Sequence, residues 1–324
     1  MNIRRIVVAN RGEIAVRIIR TCRQLGIETV LAASSADIDS MAARLADQVV
    51  VLGPAPSAAS YLNIAAVINA AVQTGADAIH PGYGFLSENS HLALACKAAG
   101  LIFIGPTAEQ LLAIGDKLLA RGNAVAAGLP IVPGGEANTL AEAQGLVQTL
   151  GLPVLIKAVG GGGGRGMKLV TEADTLKATL QLATAEAQAA FGDSRLYIER
   201  YVRSGRHVEV QLLGDGKHVI HLGTRDCSVQ RRYQKLIEEA PAPNLSDALR
   251  SAIHEAAVSF GKHLAYIGAG TVEFLVDTEL NSFYFLEMNA RIQVEHPVTE
   301  AICNLDLIAE QIRITEGKGL YLRQ

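Results

Sequence analysis

Cysteine is scarce and scattered in this chain. Cys22, Cys96, Cys227 and Cys303 are the only four, and no two of them stand as C-x-x-C. That spacing indicates neither a disulfide framework nor a zinc site, so the sulfurs read as reduced thiols of a cytoplasmic protein. An excess of one charge is missing too. With 29 Lys and Arg against 32 Asp and Glu the net charge is −3, so no global basic field advertises nucleic acid and any anion site must be local. No apolar run reaches the ~18 residues of a membrane span, and the one inside M-N-I-R-R-I-V-V-A-N is too short for a secretory signal. The first strand-to-helix turn, Asn10-Arg11-Gly12-Glu13, lacks G-x-G-x-x-G, which argues against a nicotinamide or flavin site there. What remains is a globular composition, 49% hydrophobic and 19% charged over 324 residues, enough for about two or three units with an ample core.

Periodicity divides the chain. Residues 3–9 read as a buried strand, and 13–25 as a helix with Ile14, Ile18, Cys22 and Leu25 on one face and Gly26 as its stop. Further strands at 28–33, 47–52, 77–80 and 101–104, separated by alanine-rich helices, predict a doubly wound parallel α/β domain over 1–114. Tyr83 and Arg11 fall near strand ends, where ligands often bind, but turn chemistry alone explains H-P-G-Y-G-F. A connecting helix over 115–129 begins at Gly115-Asp116-Lys117, and a smaller unit over 130–202 follows. Thr139 and Glu142 have capping-box spacing, 154–158 is a strand carrying Lys157, and 168–170 and 196–201 are strands flanking a helix at 174–190. Between the first two strands lie Gly160 to Gly164 and Arg165. Amides without Cβ atoms, flanked by Lys157 and Arg165, fit a mobile hairpin that closes over a polyphosphate; with the lysine ahead of the glycines, this is not a P-loop.

The last unit, 203–324, holds most of the polar groups a reaction needs. Residues 207–213 alternate, with His207, Glu209 and Gln211 on a side that would line a cleft. Gly214-Asp215-Gly216 reads as a hairpin turn, 225–235 as a dense polar run whose plainest reading is a solvated basic loop, 246–264 as a helix, and 305–315 as a final helix. Strands at 270–276 and 283–288 form a hairpin. Alternation puts Phe283, Phe285, Glu287 and Asn289 on one face of the second strand, with Glu287 and Asn289 ~6.6 Å apart. If Glu273 faces Glu287, two like charges oppose each other, an arrangement suited to a hard divalent cation such as magnesium. Beyond Asn289, Arg291, Gln293 and Glu295 recur at alternate positions until His296-Pro297 ends any strand. A guanidinium, an amide and a carboxylate on one side suit a small oxyanion and the removal of its proton.

Four stretches carry a resemblance over the whole chain in order: H-P-G-Y-G-F-L-S-E-N, G-G-G-G-G-R-G-M, R-D-C-S-V-Q-R-R-Y-Q-K-L-I-E-E-A-P-A-P and E-M-N-A-R-I-Q-V-E-H-P-V-T-E. Together they resemble biotin carboxylase, an ATP-grasp enzyme. The resemblance implies an N-terminal α/β domain followed by an ATP-grasp fold, a mobile lid and a larger α+β domain, with ATP between the last two. It implies ATP-dependent carboxylation of biotin on a biotin carboxyl carrier protein, the first half-reaction of a biotin-dependent carboxylase such as acetyl-CoA carboxylase of fatty acid biosynthesis. Lys117, Lys157, Gly163 and Gly164 would hold nucleotide phosphates, the run Glu199, Arg200, Tyr201, Val202 the adenine, and His207, Gln230 and Tyr233 would line the nucleotide site. Glu273, Glu287 and Asn289 match the positions for magnesium or manganese. Lys235, Arg291, Gln293 and Val294 match a bicarbonate site, and Glu295 the base. A carboxyltransferase subunit is the implied further partner, the family admits a homodimer, and neither nucleic acid nor membrane is expected.

Two departures from the family pattern bear on function. Tyr233 stands where bacterial members often carry a histidine, and a tyrosine does not titrate near neutrality. Family members also run well past Gln324, so the last domain is expected to be incomplete, with apolar surface exposed around helix 305–315 and poor carboxylation of biotin. Two other readings stay open: an ATP-grasp ligase joining a different carboxylate to an amine, and a non-catalytic MgATP-binding or assembly module. The downstream carboxyl acceptor, whether an acyl-CoA, pyruvate or urea, is not encoded here.

Overall fold

The computed structural model describes residues 2–160, 166–232, 234–322 and 324. The short β-branched runs of the N-terminal third pair as their alternation with helices demands. Strands β1 (Arg5–Val8), β2 (Glu28–Ser34), β3 (Gln48–Gly53), β4 (Ala78–His80) and β5 (Ile102–Phe103) form an all-parallel sheet in the order β3-β2-β1-β4-β5. Helices α1 (Gly12–Gln24), α2 (Met41–Leu45), α3 (Ile64–Gln73) and α4 (Ser90–Ala98) connect the strands. Ile6, Val8 and Leu31 pack on the α1 side, while Val7, Val30 and Ile79 pack with Val67 and Leu92 on the other. The doubly wound domain is as expected. Leu25 is not: it caps α1 and is 49% exposed, because the helix outruns its cover before the chain reverses through Gly26.

Helices α5 (Ala108–Gly115) and α6 (Lys117–Ala126) follow, the second capped by the Asp116 carboxylate, which accepts from the Leu118 and Leu119 amides. The next unit comprises β6 (Gly134–Glu136), α7 (Leu140–Leu150), β7 (Val154–Ala158), β8 (Met167–Val170), α8 (Leu176–Phe191) and β9 (Leu196–Arg200). Its four strands are antiparallel in the order β6-β9-β7-β8. Val154, Ile156 and Ile198 bury one face under both helices, which turns Lys157 and Glu199 to the other. Thr139 and Glu142 form the capping box their spacing predicts.

A larger antiparallel sheet completes the chain: β10 (Gly205–Asp215), β11 (Val219–Arg231), β12 (Gln234–Glu239), β13 (Ile267–Asp277) and β14 (Ser282–Asn289), in the order β12-β11-β10-β13-β14. Val208, Val210, Leu212, Val272 and Phe274 pack against Leu249, Ile253, Ala257 and Phe260 of α9 (Asp247–His263). The opposite face is polar. Helices α10 (His296–Cys303) and α11 (Leu307–Thr315) then return the chain to the first domain. No helix among the described residues is long and apolar enough to cross a membrane.

Several expectations need correction. The polar run at 225–235 is not a solvated loop: it belongs to strands β11 and β12, and Arg225 is fully buried. Its polarity hid the strand because that face packs against other polar side chains. The turn after β10 falls at 216–218, two residues later than Gly214-Asp215-Gly216 suggested, since Gly214 and Asp215 still belong to the strand. Strict alternation fails in β14. Glu273 pairs with Glu287 but Phe274 with Phe285, so Leu286 is an extra, bulged residue. The bulge leaves Phe285 and Met288 in the core while Glu287 and Asn289 share the opposite face. Helix α10 was missed because Pro297 was read only as a strand stop, although proline is also at home in the first turn of a helix. The expected exposed apolar surface on the final helix is absent: Leu307, Ile308, Ile312 and Ile314 are buried with Ile18 of α1 and with Leu213 and Ala269 of the large sheet.

Phe260 is fully buried, its ring 4.9 Å from that of Phe285 between α9 and the large sheet. Phe260→Ala should cost ~3–5 kcal/mol by urea unfolding, whereas Leu25→Ala should stay within about 0.5 kcal/mol of the parent. Similar losses in the two variants would contradict this assignment of the core.

Candidate active site

Three elements bring the polar face of the large sheet together. The antiparallel β13–β14 ladder sets Glu273 opposite Glu287 and Thr271 opposite Asn289, which places two carboxylates and an amide on one patch. Among the described residues Glu287 accepts no hydrogen bond, and burial together with the facing Glu273 charge raises its pKa above the ordinary glutamate range. Glu273 goes the other way. Burial opposes its ionisation, but His207 and Lys235 outweigh that and hold its pKa well below normal. A hard cation between the two glutamates would relieve the repulsion, so the donor set fits a divalent metal bound through oxygen. Asn289 is less ready: its Nδ2 donates to Glu273 (2.8 Å) and its Oδ1 accepts from Arg291 (2.9 Å).

Next to this patch the Lys235 ammonium, carried in from β12, donates to Glu209 (2.7 Å), Glu273 (2.9 Å) and Glu295 (2.7 Å). Burial works against the ammonium, yet Glu273, Glu209 and Glu295 together lift its pKa above the ordinary lysine range. Glu295, despite burial, is held below the usual range by Lys235 and so is a carboxylate at neutral pH. The ligand atoms of His207, Glu209 and Glu273, and those of Glu209, Cys227 and Glu295, also lie within 4.8 Å of one another. Lys235 already supplies the cation in both groups, which leaves the Glu273–Glu287 patch as the better place for a metal.

Arg291, Gln293 and Glu295 converge as their spacing suggests, from an irregular segment rather than a strand. Arg291 donates to Glu88 of the first domain (2.9 Å), Asn289 and the Ile292 carbonyl (3.2 Å), and Gln293 donates to Glu273 (3.2 Å). Val294 is exposed beside them.

The small sheet faces this arrangement. Its β7 and β9 bring Lys157 into a salt bridge with Glu199, and Arg121 lies 3.6 Å from the same carboxylate. Lys117, at the start of α6, feels Glu287 as well as Lys157 and Glu199; burial first, and Lys157 second, lower its pKa. Arg200 reaches across to the Tyr284 hydroxyl (2.6 Å), the Tyr201 amide donates to the Pro153 carbonyl (3.1 Å) and Val202 is buried. His207 lies 3.1 Å from both Glu273 and Gln230, and Gln230 also donates to the Cys227 carbonyl (2.7 Å). Burial opposes the imidazolium, but Glu273 raises the His207 pKa overall. Gly163, Gly164 and Tyr233 lie outside the described residues.

Sequence reasoning left three participants without a role. Glu209 was legible only as one member of a cleft-lining alternation. Arg225 sat inside a run read as a loop, and Glu88 lies more than two hundred residues before the arginine it binds, so only tertiary contact reveals it.

Residues 2–111 match the model of the biotin carboxylase N-terminal domain, and residues 116–323 that of the ATP-binding domain of the carbamoyl-phosphate synthase L chain. The chain is 49% identical to a biotin carboxylase of Haemophilus influenzae over 324 residues, covering 99% of this chain and 72% of that protein. Among solved structures, it superposes on a biotin carboxylase–beta-gamma-ATP complex from Campylobacter jejuni with a TM-score of 0.94 at 45% identity, covering all of this chain and 72% of that one. A TM-score of 0.94 at 43% identity, with the same coverage, relates it to the biotin carboxylase domain dimer of the 2-oxoglutarate carboxylase of Hydrogenobacter thermophilus, solved with MgADP, ADP and bicarbonate. The parallel domain followed by two facing antiparallel sheets is the shared architecture, an ATP-grasp fold behind an α/β domain. Identity at this level along almost the entire chain, on a backbone this similar, leaves a single assignment: the chain belongs to the biotin carboxylase family.

Proposed function

We propose that this chain uses ATP and bicarbonate to carboxylate biotin carried by a biotin carboxyl carrier protein, as the first half-reaction of a biotin-dependent carboxylase. One observation carries the reading. The ionised Glu295, paired with Lys235, stands with Arg291 and Gln293 beside the Glu273–Glu287 patch, so an oxyanion site with its own base adjoins a cation site. Arg291, Lys235 and the Gln293 amide would hold bicarbonate, with Val294 along its edge. Glu295 takes the bicarbonate proton. The freed oxygen attacks the γ-phosphorus of ATP, the bond to the β-phosphate oxygen breaks and ADP leaves, giving carboxyphosphate. This decomposes to carbon dioxide and phosphate, and the phosphate removes the proton from the biotin ureido nitrogen that attacks carbon dioxide.

Glu273, Glu287 and Asn289 would hold magnesium or manganese, with Asn289 exchanging its bond to Arg291. The ion would neutralise phosphate charge and orient the chain of phosphates. Lys117 and Lys157, with Gly163 and Gly164 of the glycine run, would hold the phosphates; the run Glu199 to Val202 would receive the adenine, and His207, Gln230 and Tyr233 would line the nucleotide. On this reading residues 130–202 form the lid, 115–129 its connection and 1–114 the supporting domain. The partners are a biotin carboxyl carrier protein and a carboxyltransferase subunit, with a homodimer as the arrangement. The four free thiols support a reducing, cytoplasmic setting.

The direct test is phosphate release from MgATP with and without bicarbonate, followed by transfer of labelled bicarbonate to biotin. Release that responds to an amine and another carboxylate, but not to bicarbonate, would favour the ligase reading; tight MgATP binding without turnover would favour the binding module. Glu287→Gln should weaken nucleotide affinity in magnesium by about ten-fold or more, ~1.4 kcal/mol, and leave metal-free binding unchanged in calorimetry. Unchanged affinity in magnesium would remove Glu287 from the metal site. Arg291→Lys keeps the charge but loses the planar fork, so turnover should drop about ten-fold or more with MgATP affinity within about two-fold. Parallel losses would assign Arg291 to the nucleotide or to the fold.

A further inference from the structure

Among the described residues Arg225 is the largest fully buried side chain, and it is not among the groups the reaction calls on. A guanidinium has five N–H donors and no acceptor, and here every donor has a partner. Nε donates to Glu209 Oε1 (2.5 Å), Nη1 to Gln211 Oε1 (2.9 Å) and Thr299 Oγ1 (2.7 Å), and Nη2 to Thr271 Oγ1 (3.2 Å) and Gln293 Oε1 (2.7 Å). From β11 it therefore ties together β10, β13, α10 and the segment bearing Gln293. All five partners are themselves buried.

The contact with Gln293 has a chemical consequence. A side-chain amide presents an acceptor at one end and two donors at the other, and the two orientations have nearly the same shape. Against Arg225 only one of them works. Turned round, the amide would set its NH2 group against a guanidinium that cannot accept, with both buried. The oxygen thus faces Arg225, and Nε2 faces Glu273 and the cleft (3.2 Å). The Nε bond acts in parallel: it occupies Glu209 Oε1 and leaves Oε2 to Lys235.

We propose that Arg225 is a positioning residue of the anion site, fixing Gln293 with its NH2 group toward the cleft so that the site offers a donor, not an acceptor, to a carbonate-type oxyanion. The inference rests on the reading of Gln293 as a bicarbonate contact for its functional consequence, but not for the orientation itself. Neutron diffraction from the wild-type protein locates the two Gln293 amide deuterons directly. Deuterons facing Glu273 are expected; deuterons facing Arg225 would overturn the proposal whatever any variant does.

The functional half is read from Arg225→Lys, which keeps a cation but replaces five donors on a planar fork by three on a single nitrogen, and so loses the geometry that holds all five partners together. The KM for bicarbonate should rise about ten-fold, with MgADP affinity within about two-fold, and Arg225→Lys/Gln293→Ala should be no worse in bicarbonate KM than Gln293→Ala alone. Additive losses, or equal loss of MgADP affinity, would make Arg225 a purely structural residue and refute its positioning role. If wild-type phosphate release ignores bicarbonate, the functional reading fails by itself, and the deuteron positions still judge the orientation. If Arg225→Lys does not fold, those same positions decide the proposal.

Discussion

The site depends on one ammonium shared by three buried carboxylates. Glu209, Glu273 and Glu295 come from two strands and an irregular segment, and without a cation among them their mutual repulsion in a dry interior would push them apart or protonate them. Lys235 lies within hydrogen-bond reach of all three. The consequence is directional. Glu295 is kept ionised and Glu273 likewise, while Glu287, which lacks such a partner, has its pKa raised. Two carboxylates facing each other across β13 and β14 thus differ in proton affinity because only one of them touches His207 and Lys235.

The rest of the fold serves to hold this group against its own electrostatics. From β11, Arg225 spreads its donors over two further strands, α10 and the Gln293 segment, and so joins the polar centre to the helix that follows it. From outside, Arg17 of α1 pairs with Glu300 and Asp306, and Glu88 holds both Arg291 and the Ala290 amide, so the first domain fixes the segment that carries Gln293 and Glu295. The apolar side contributes as well, since α11 wedges Leu307, Ile308 and Ile312 between the first domain and the large sheet. A parallel domain that carries none of the proposed site residues thus still sets the position of the segment bearing several of them.

The small sheet is joined to the large one more lightly, by the Ile131–Phe285 bridge and by Arg200 on Tyr284 and Asp277. Its own core of Val154, Ile156, Ile198 and Leu180 is separate. Such an arrangement suits a unit that closes over a nucleotide as a body, with Lys157 and Glu199 on the face it presents.

The order and type of most elements followed from the sequence alone, because burying one face of a strand or helix imposes a period on its residues: the parallel strands at 28–33 and 77–80, the capping box at Thr139 and the hairpin around Glu273 and Glu287 are all local patterns. So is the acid–amide–guanidinium series from Glu287 to Glu295, which could be read as chemistry before any fold was known. Local pattern failed where partners lie far apart along the chain. The bulge at Leu286 depends on how β14 meets β13, the strand through Arg225 on a polar face buried against polar partners, and the cover of α11 on a helix nearly three hundred residues earlier. Which carboxylate is held ionised was likewise beyond the sequence, for that is set by His207 on the neighbouring strand and by a lysine three strands away across the sheet. Hydrophobic period is a property of neighbouring residues, whereas a pKa, a bulge or a saturated guanidinium is a property of groups that only folding brings within hydrogen-bond distance.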